Sequence, residues 1–286
     1  MKLPHAMLTA VTCLGCALTT SAAGPILSTS ASASWMGDIT RCPYIEATHD
    51  AYLFEATGDA EWRNQVTRDV AVQFDANAGF QSCLKYDGLD HVMAGGQFSV
   101  RRKFGLGPLA PVIRTELSLT GYRYRDALRN GTRLIASLSW SKRWNYSWQT
   151  ALGAEFLRNE GRGAAYDYHN RGLSFETRYD LSSRWQLATG ARRQWGDQLT
   201  YAWLGGSGAS YPYAYEIWKN TIDITTFGPN WQAYTIDAHA DSVWISLSPA
   251  LDGNRSLPLR YEETSVMGHG ESYRTKLISL SFIQRF

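Results

Sequence analysis

The chain has 286 residues, with 28 Lys and Arg against 26 Asp and Glu and a formal net charge of +2, so its charge calls for no nucleic-acid partner. Hydrophobic residues make up 44% and aromatics 13%, yet no stretch beyond the N-terminus holds 18 consecutive apolar residues, which excludes a membrane-spanning helix. Low average hydrophobicity with many aromatics suits strands of which only alternate residues meet lipid.

Met1 to Ala23 reads as a secretory signal peptide. Lys2 supplies the basic start, Ala6 to Leu18 the short apolar core, and Ser21-Ala22-Ala23 a small-residue cleavage site before Gly24. Sec-type export with cleavage near Ala23 is therefore expected. A lipoprotein reading at Cys16, after Leu14-Gly15, ranks second because Cys13 stands where an aliphatic residue belongs. Cys42 and Cys83 remain after cleavage. An even number in an exported chain favours a disulfide between them, and two unbonded thiols are the alternative.

Gly24 to Ser34 is small and Ser/Ala-rich, a lead-in. From about residue 33 the pattern is strand, turn, strand, and the alternation places strands at 32–41, 45–56, 62–80, 89–104, 112–125, 131–142, 147–158, 170–180, 184–200, 231–249, 256–267 and 273–286. Glu46, Asp50 and Glu55 break the apolar face of 45–56. If 24–61 is instead a plug or periplasmic segment, ten strands remain. A hairpin turn at Thr57 to Glu61 brings Cys42 and Cys83 to the same end.

The middle of the chain alternates most clearly. In 132–142 one face is Leu134, Ala136, Leu138 and Trp140, and the other is Arg133, Ile135, Ser137 and Ser139. Next, Trp148, Leu152 and Phe156 oppose Gln149, Gly153 and Glu155, and Leu173, Phe175 and Tyr179 oppose Ser174, Glu176 and Arg178. A soluble β-sandwich also alternates. Three features favour a transmembrane barrel. The strands reach bilayer-crossing length. Trp140, Trp144, Tyr146, Trp148, Tyr179 and Trp185 gather at strand ends, where an interfacial girdle lies. Short connections such as 142–147 and 180–184 alternate with longer ones such as 158–170 and 203–230. Within the strands, Ala94-Gly95-Gly96 marks a bend or close packing. In 231–249 the apolar set changes parity, from Tyr234, Ile236 and Ala238 to Val243, Ile245 and Leu247, which predicts a β-bulge near Ala240 to Ser242.

The final run, Arg274 to Phe286, alternates Ile278, Leu280, Phe282, Gln284 and Phe286 against Leu277, Ser279, Ser281, Ile283 and Arg285, and ends on a bare aromatic. With the signal peptide and the alternation, this ending resembles Gram-negative outer-membrane β-barrels of the porin-like kind. The resemblance implies an all-β, antiparallel barrel of about twelve strands at 24–286, residence in the bacterial outer membrane among its lipids, and recognition of the Phe286 strand by the barrel-assembly machinery. A looser resemblance, carried by Arg102-Lys103-Phe104-Gly105-Leu106-Gly107, is to the barrel part of surface lipoprotein assembly modifiers.

Inside such a barrel the polar face carries Arg101, Lys103, Arg114, Glu116, Arg133, Glu155, Glu176, Arg178, Arg192, Arg260, Glu262 and Arg285. They form either a constriction selecting small polar or anionic solutes or a set of pairs that fills the interior. A porin-like channel is the leading expectation. A translocation or surface-assembly barrel for an exported protein or polysaccharide, and a lipid hydrolase, are the alternatives. For the hydrolase, Asp237, His239, Asp241 and Ser242 outline a charge-held histidine near a hydroxyl, although alternation puts Ser242 on the opposite face. His169 has no serine beside it, Ser174 being the nearest. Beyond the signal-peptide segment, which holds Cys13 and Cys16, there is no CxxC, and nowhere is there an HExxH, EF-hand or GxxxxGK[ST] pattern, so neither a metal nor a nucleotide cofactor is expected. The aromatic, Gly-rich loop 203–230 either folds into the mouth, or stacks on a sugar face through Tyr211, Tyr213, Tyr215 and Trp218, or supplies the outer girdle and packs on itself.

Overall fold

The computed structural model describes residues 24–42, 48–203, 219–222, 225–268 and 271–286. The signal-peptide segment ending at Ala23 and the aromatic run 211–218 lie outside the described residues. The strands are β1 (Ile26–Gly37), β2 (Ala51–Gln65), β3 (Val70–Cys83), β4 (His91–Lys103), β5 (Val112–Tyr124), β6 (Gly131–Arg143), β7 (Trp148–Gly161), β8 (Tyr168–Asp180), β9 (Trp185–Trp203), β10 (Lys219–Ile222), β11 (Trp231–Pro249), β12 (Arg255–Ser256), β13 (Leu259–Gly268) and β14 (Glu271–Arg285). Twelve of them form an antiparallel wall in the order β1 to β9, β11, β13, β14. The wall closes where β14 pairs with β1 from Lys276 opposite Gly37 to Arg285 opposite Ser28. β10 pairs only with the far end of β11, and β12 only with the end of β14.

Side-chain alternation sorts the wall into two faces. Leu117 and Leu119 of β5, Leu152 and Phe156 of β7, Leu173 and Phe175 of β8, Val243 and Ile245 of β11, and Ile278 and Leu280 of β14 are all exposed on the outside. Such a continuous apolar belt is stable against lipid and not against water. A soluble sandwich would bury these residues between two sheets; here they face away from the interior. Trp144, Tyr146, Trp148, Tyr179 and Trp185 are exposed below the belt, as the girdle requires.

The start of β1 and Phe286 lie at one end, where the Phe286 amide donates to the Leu27 carbonyl at 2.9 Å. The connections 66–69, 104–111, 144–147, 181–184 and 250–258 share this end, called here the turn end. The opposite, loop end carries 38–42, 48–50, 84–90, 125–130, 162–167 and 225–230.

The strand count agrees with the twelve expected from sequence, but several boundaries move. The lead-in is strand from Ile26. The expected turn at Thr57 to Glu61 is the middle of β2, and the chain turns at 66–69 instead. Asp59, Glu61 and Arg63 stand on alternate residues of β2 and share the interior face with Glu55. The expected long connection 158–170 shrinks, because β7 continues to Gly161 and β8 begins at Tyr168. Gly95 sits under close packing as expected, since a Cβ there would stand 2.7 Å from the Leu119 carbonyl.

The expected disulfide is not formed. Cys42 and Cys83 do lie at the same, loop end and both are buried, but no bond joins them. Cys83 packs with Ile39, Ala51, Tyr86 and Leu89, whereas the Cys42 amide is held by the Asp38 carboxylate.

The expected bulge in β11 is also absent. Residues 231–249 pair with β9 without a skipped residue, and residues 239–247 pair with β13 in the same unbroken way. The parity change has another cause. Val243, Ile245 and Leu247 face lipid, while Tyr234, Ile236 and Ala238 are apolar residues facing inward. At the loop end the interior is packed, so its lining is apolar there.

What packs it is the β9–β11 ribbon. β8 leaves β9 at Gly196 and β13 leaves β11 at His239, so the ribbon beyond them pairs with neither neighbouring wall strand. Both of its faces are buried. Ala202, Tyr234 and Ile236 pack on Val266 and Tyr273, which point inward from β13 and β14. Tyr201, Trp231 and Ala233 pack on Ala165 and Tyr166 of a short 3₁₀ turn, Ala164–Tyr166. Phe227 joins this cluster to the one around Cys83, with its ring 4.9 Å from Tyr86, 4.9 Å from Tyr201 and 5.4 Å from Trp231. The ribbon therefore folds into the mouth. Gly196 marks the departure with φ +116°, a conformation glycine adopts at no steric cost. A Cβ there would also stand 2.7 Å from the His169 carbonyl. Gly196→Val should add roughly 1–3 kcal/mol of local strain and loosen the ribbon. The expected result is faster proteolysis between the ribbon strands with the heat-modifiable gel shift of the barrel retained; equal proteolysis would refute this role of Gly196.

Candidate functional site

Interior side chains divide into three zones. At the turn end a cavity of about 890 Å³ is lined by Arg63, Arg101, Lys103, Arg114, Arg143 and Arg178, and no carboxylate stands among the described residues that line it. Four of the cations have acidic partners set back from the cavity. Arg63 pairs with Glu61, Arg114 with Glu116 at 3.1 Å, Arg178 with Glu176 at 2.5 Å and Arg143 with Asp180 at 4.0 Å. Arg101 and Lys103 have no acidic partner among the described residues. Arg101 lies directly across from Arg114 on the neighbouring strand. The cavity thus presents a positive surface, which concentrates anions.

Further in, Arg192 stands 3.6 Å from Glu155 and 3.8 Å from Glu262. Gln194 donates to Glu155 at 2.9 Å, and Arg260 donates to Glu262 at 2.6 Å while lying 4.9 Å over the Trp244 ring. The Arg192 side chain is 35% exposed. Ion pairs this hydrated contribute about 0–1 kcal/mol each, so their main effect is to fix where charge sits in the lumen.

Beneath the ribbon, at the loop end, lies a chamber of about 210 Å³. Its wall is tyrosine and arginine: Tyr122 and Tyr124 from the end of β5, Arg133 from β6, Tyr168 from β8, and Arg41 and Arg129 from the loops. Arg129 pairs with Asp126 at 3.5 Å and donates to Thr226 at 3.2 Å, which ties the 127–129 turn to the segment that enters the ribbon. Arg133 lies 4.8 Å over the Tyr122 ring.

Of the residues expected to line the lumen, the structure brings together Arg101, Arg114 and Arg178 at the turn end, and Glu155, Arg192, Arg260 and Glu262 further in. Glu116 and Glu176 act as partners of neighbouring arginines, and Arg133 stands apart in the chamber. The chamber itself was missed by the sequence reading. Its tyrosines come from strand ends and short loops, where they resemble girdle residues. The signal available was parity, since Tyr122 and Tyr124 share the face of Arg114 and Glu116.

The catalytic outline does not assemble. Asp237, His239 and Asp241 face outward, where Asp241 accepts both Arg193 nitrogens at 2.5 Å. Ser242 is buried on the inner face and shares a 2.7 Å hydrogen bond with Thr264. His169 lies 3.4 Å from Asp197 at the outer rim, and Ser174 points to the interior.

No family model and no curated protein matches the sequence. Solved structures do match in shape. The COG4313 outer membrane channel from Pseudomonas putida F1 superposes with a TM-score of 0.57 at 12% identity, over 94% of this chain and 98% of that one. The fold is that of an outer-membrane β-barrel. The NanC porin matches with a TM-score of 0.47 at 9% identity, over 90% of this chain and 98% of that one. The toluene transporter TodX of Pseudomonas putida also reaches 0.47 at 9% identity, over 94% and 92%.

Two loop residues give the packed mouth a pH dependence. The His49 ring lies 5.9 Å from Tyr86 and 5.4 Å from Trp231. Burial first, and then the charge of Lys85, push its pKa below the usual histidine value, with Asp50 opposing. A lowered folded pKa means stability that is present above pH ~6.5 and lost as pH falls through the folded value. Asp38 shifts the other way, its carboxyl raised chiefly by burial, so its protonation favours the folded loop. Where the His49 effect outweighs that of Asp38, acidification from pH 7.5 to 5 should increase proteolysis of the ribbon, and His49→Gln should abolish that increase or turn it into a decrease through Asp38; the same increase in that variant would assign the effect elsewhere.

Proposed function

We propose that the chain is a passive channel of the bacterial outer membrane for small polar solutes, selective for anions at its turn end and narrowed at its loop end by the β9–β11 ribbon. The observation that carries this reading is the cationic cavity of about 890 Å³, built from side chains of the seven neighbouring wall strands β2 to β8, with Pro108 and Ala110 of the turn between β4 and β5. The turn end faces the periplasm and the loop end the exterior. The shape likeness to a known outer membrane channel supports the fold on which this reading stands. The exposed Phe286, 68% accessible at the end of β14, supports recognition of that strand by the assembly machinery.

The alternatives fit less well. A chamber of about 210 Å³ is narrow for an exported polypeptide, and the hydrolase groups face opposite sides of the wall. On the channel reading His239→Ala should leave the lipid profile of intact cells unchanged, which counts against the hydrolase; an altered profile would favour it.

Purified, refolded protein that shows the heat-modifiable shift should carry ion current in planar bilayers, with anions favoured over cations. The double variant Arg101→Glu, Arg114→Glu should lower the anion-to-cation permeability ratio several-fold or invert it. Absence of current from correctly folded protein would sink the channel reading.

A further inference from the structure

Arg133 is the interior cation whose surroundings ask for an anion. Its Nε donates to Asn159 Oδ1 at 3.4 Å, its guanidinium lies 4.8 Å over the Tyr122 ring, and it hydrogen-bonds the Tyr168 hydroxyl. These partners are all neutral. Among the described residues no carboxylate pairs with Arg133, whereas Arg129, four residues earlier, has Asp126 at 3.5 Å. A guanidinium enclosed by neutral groups is left with uncompensated charge, and a carboxylate is the partner whose two oxygens match its fork. The enclosing groups also choose the rest of the ligand. Tyr122 and Tyr124 lie with ring centroids 6.1 Å apart and planes 26° from parallel, with the His91 ring 4.3 Å from Tyr124 and 5.5 Å from Tyr122, and both tyrosines line the same chamber with their aromatic rings. Flat or CH-rich rings stack on such faces. The chamber volume of about 210 Å³ is below the roughly 300–1,000 Å³ of drug-sized pockets, which limits the ligand to a single small ring.

The geometry points to a solute-binding site in this chamber for small monocyclic carboxylates, the carboxylate held by Arg133 and Tyr168 and the ring lying against Tyr122 and Tyr124. The site sits between the ribbon-filled mouth and the rest of the lumen, so it is a selection point at the outer entrance. It deepens the channel reading and rests on it for its place in transport, although binding itself does not require conduction.

The test uses the full chain refolded in detergent and checked by heat-modifiability. Benzoate serves as probe, with benzyl alcohol as the uncharged ring and acetate as the ringless anion, each titrated by calorimetry. Benzoate is expected to saturate one site and to bind at least tenfold more tightly than either comparator. Arg133→Gln should weaken it at least tenfold, Tyr168→Phe several-fold, and Arg101→Gln, in the turn-end cavity, should leave it unchanged. Benzoate binding that survives Arg133→Gln, or that benzyl alcohol equals, overturns the proposal; equal binding of acetate overturns its ring component. If Arg133→Gln does not fold, Tyr168→Phe and Tyr122→Leu decide, and undiminished binding in both refutes the site. Bilayer current separates the two readings: current without benzoate binding removes this site and leaves the channel, while binding without current removes the channel and leaves the site.

Discussion

The closure of β14 on β1 is the constraint from which the rest of the structure follows. In hydrocarbon an unpaired backbone N–H or C=O costs several kcal/mol, so a sheet that spans a membrane has to end where it began. The seam from Lys276 to Arg285 against Gly37 to Ser28 meets that demand. Once the wall is a closed cylinder, every second residue has lipid on one side and every other has the lumen. The chain then no longer needs a hydrophobic centre along its full height, and its charged residues are free to line the inside.

That freedom is used differently at the two ends. At the turn end the interior stays open and cationic, with acidic partners set behind Arg63, Arg114, Arg143 and Arg178. At the loop end the apolar ribbon refills the cylinder and builds something close to an ordinary protein core, held by Phe227 between two clusters. The tyrosine and arginine chamber lies where these two regimes meet. Its enclosure comes from the core above it and its charge from the lumen below.

Much of this was legible in the sequence, for a physical reason. Lipid on one face of every strand imposes a strict period of two, and runs such as Leu134, Ala136, Leu138 and Trp140 report it directly. Where the period carried a second meaning, the reading slipped. The turn expected at Thr57 to Glu61 falls in mid-strand, because Asp59 and Glu61 belong to the polar inner face of one unbroken strand, β2. Tyr234, Ile236 and Ala238 suggested a bulge because apolar residues on the inner parity had no place in a picture of an empty lumen. Parity placed Arg101, Arg114 and Arg178 on the inner face, but with Glu116 and Glu176 interleaved it did not show that the arginines front a cavity with their carboxylates set behind them. The chamber was not foreseen, because its residues converge from distant loops and strand ends, and convergence leaves no periodic trace.

The contacts of the ribbon also tie the entrance to the seam. Its inner face rests on Val266 and Tyr273, which belong to the last two wall strands, and β14 is in turn the strand that closes the cylinder against β1. One strand thus serves two ends of the lumen's geometry, seating the plug with its first residues and sealing the wall with its last, so disturbing β14 loosens the mouth and the cylinder together.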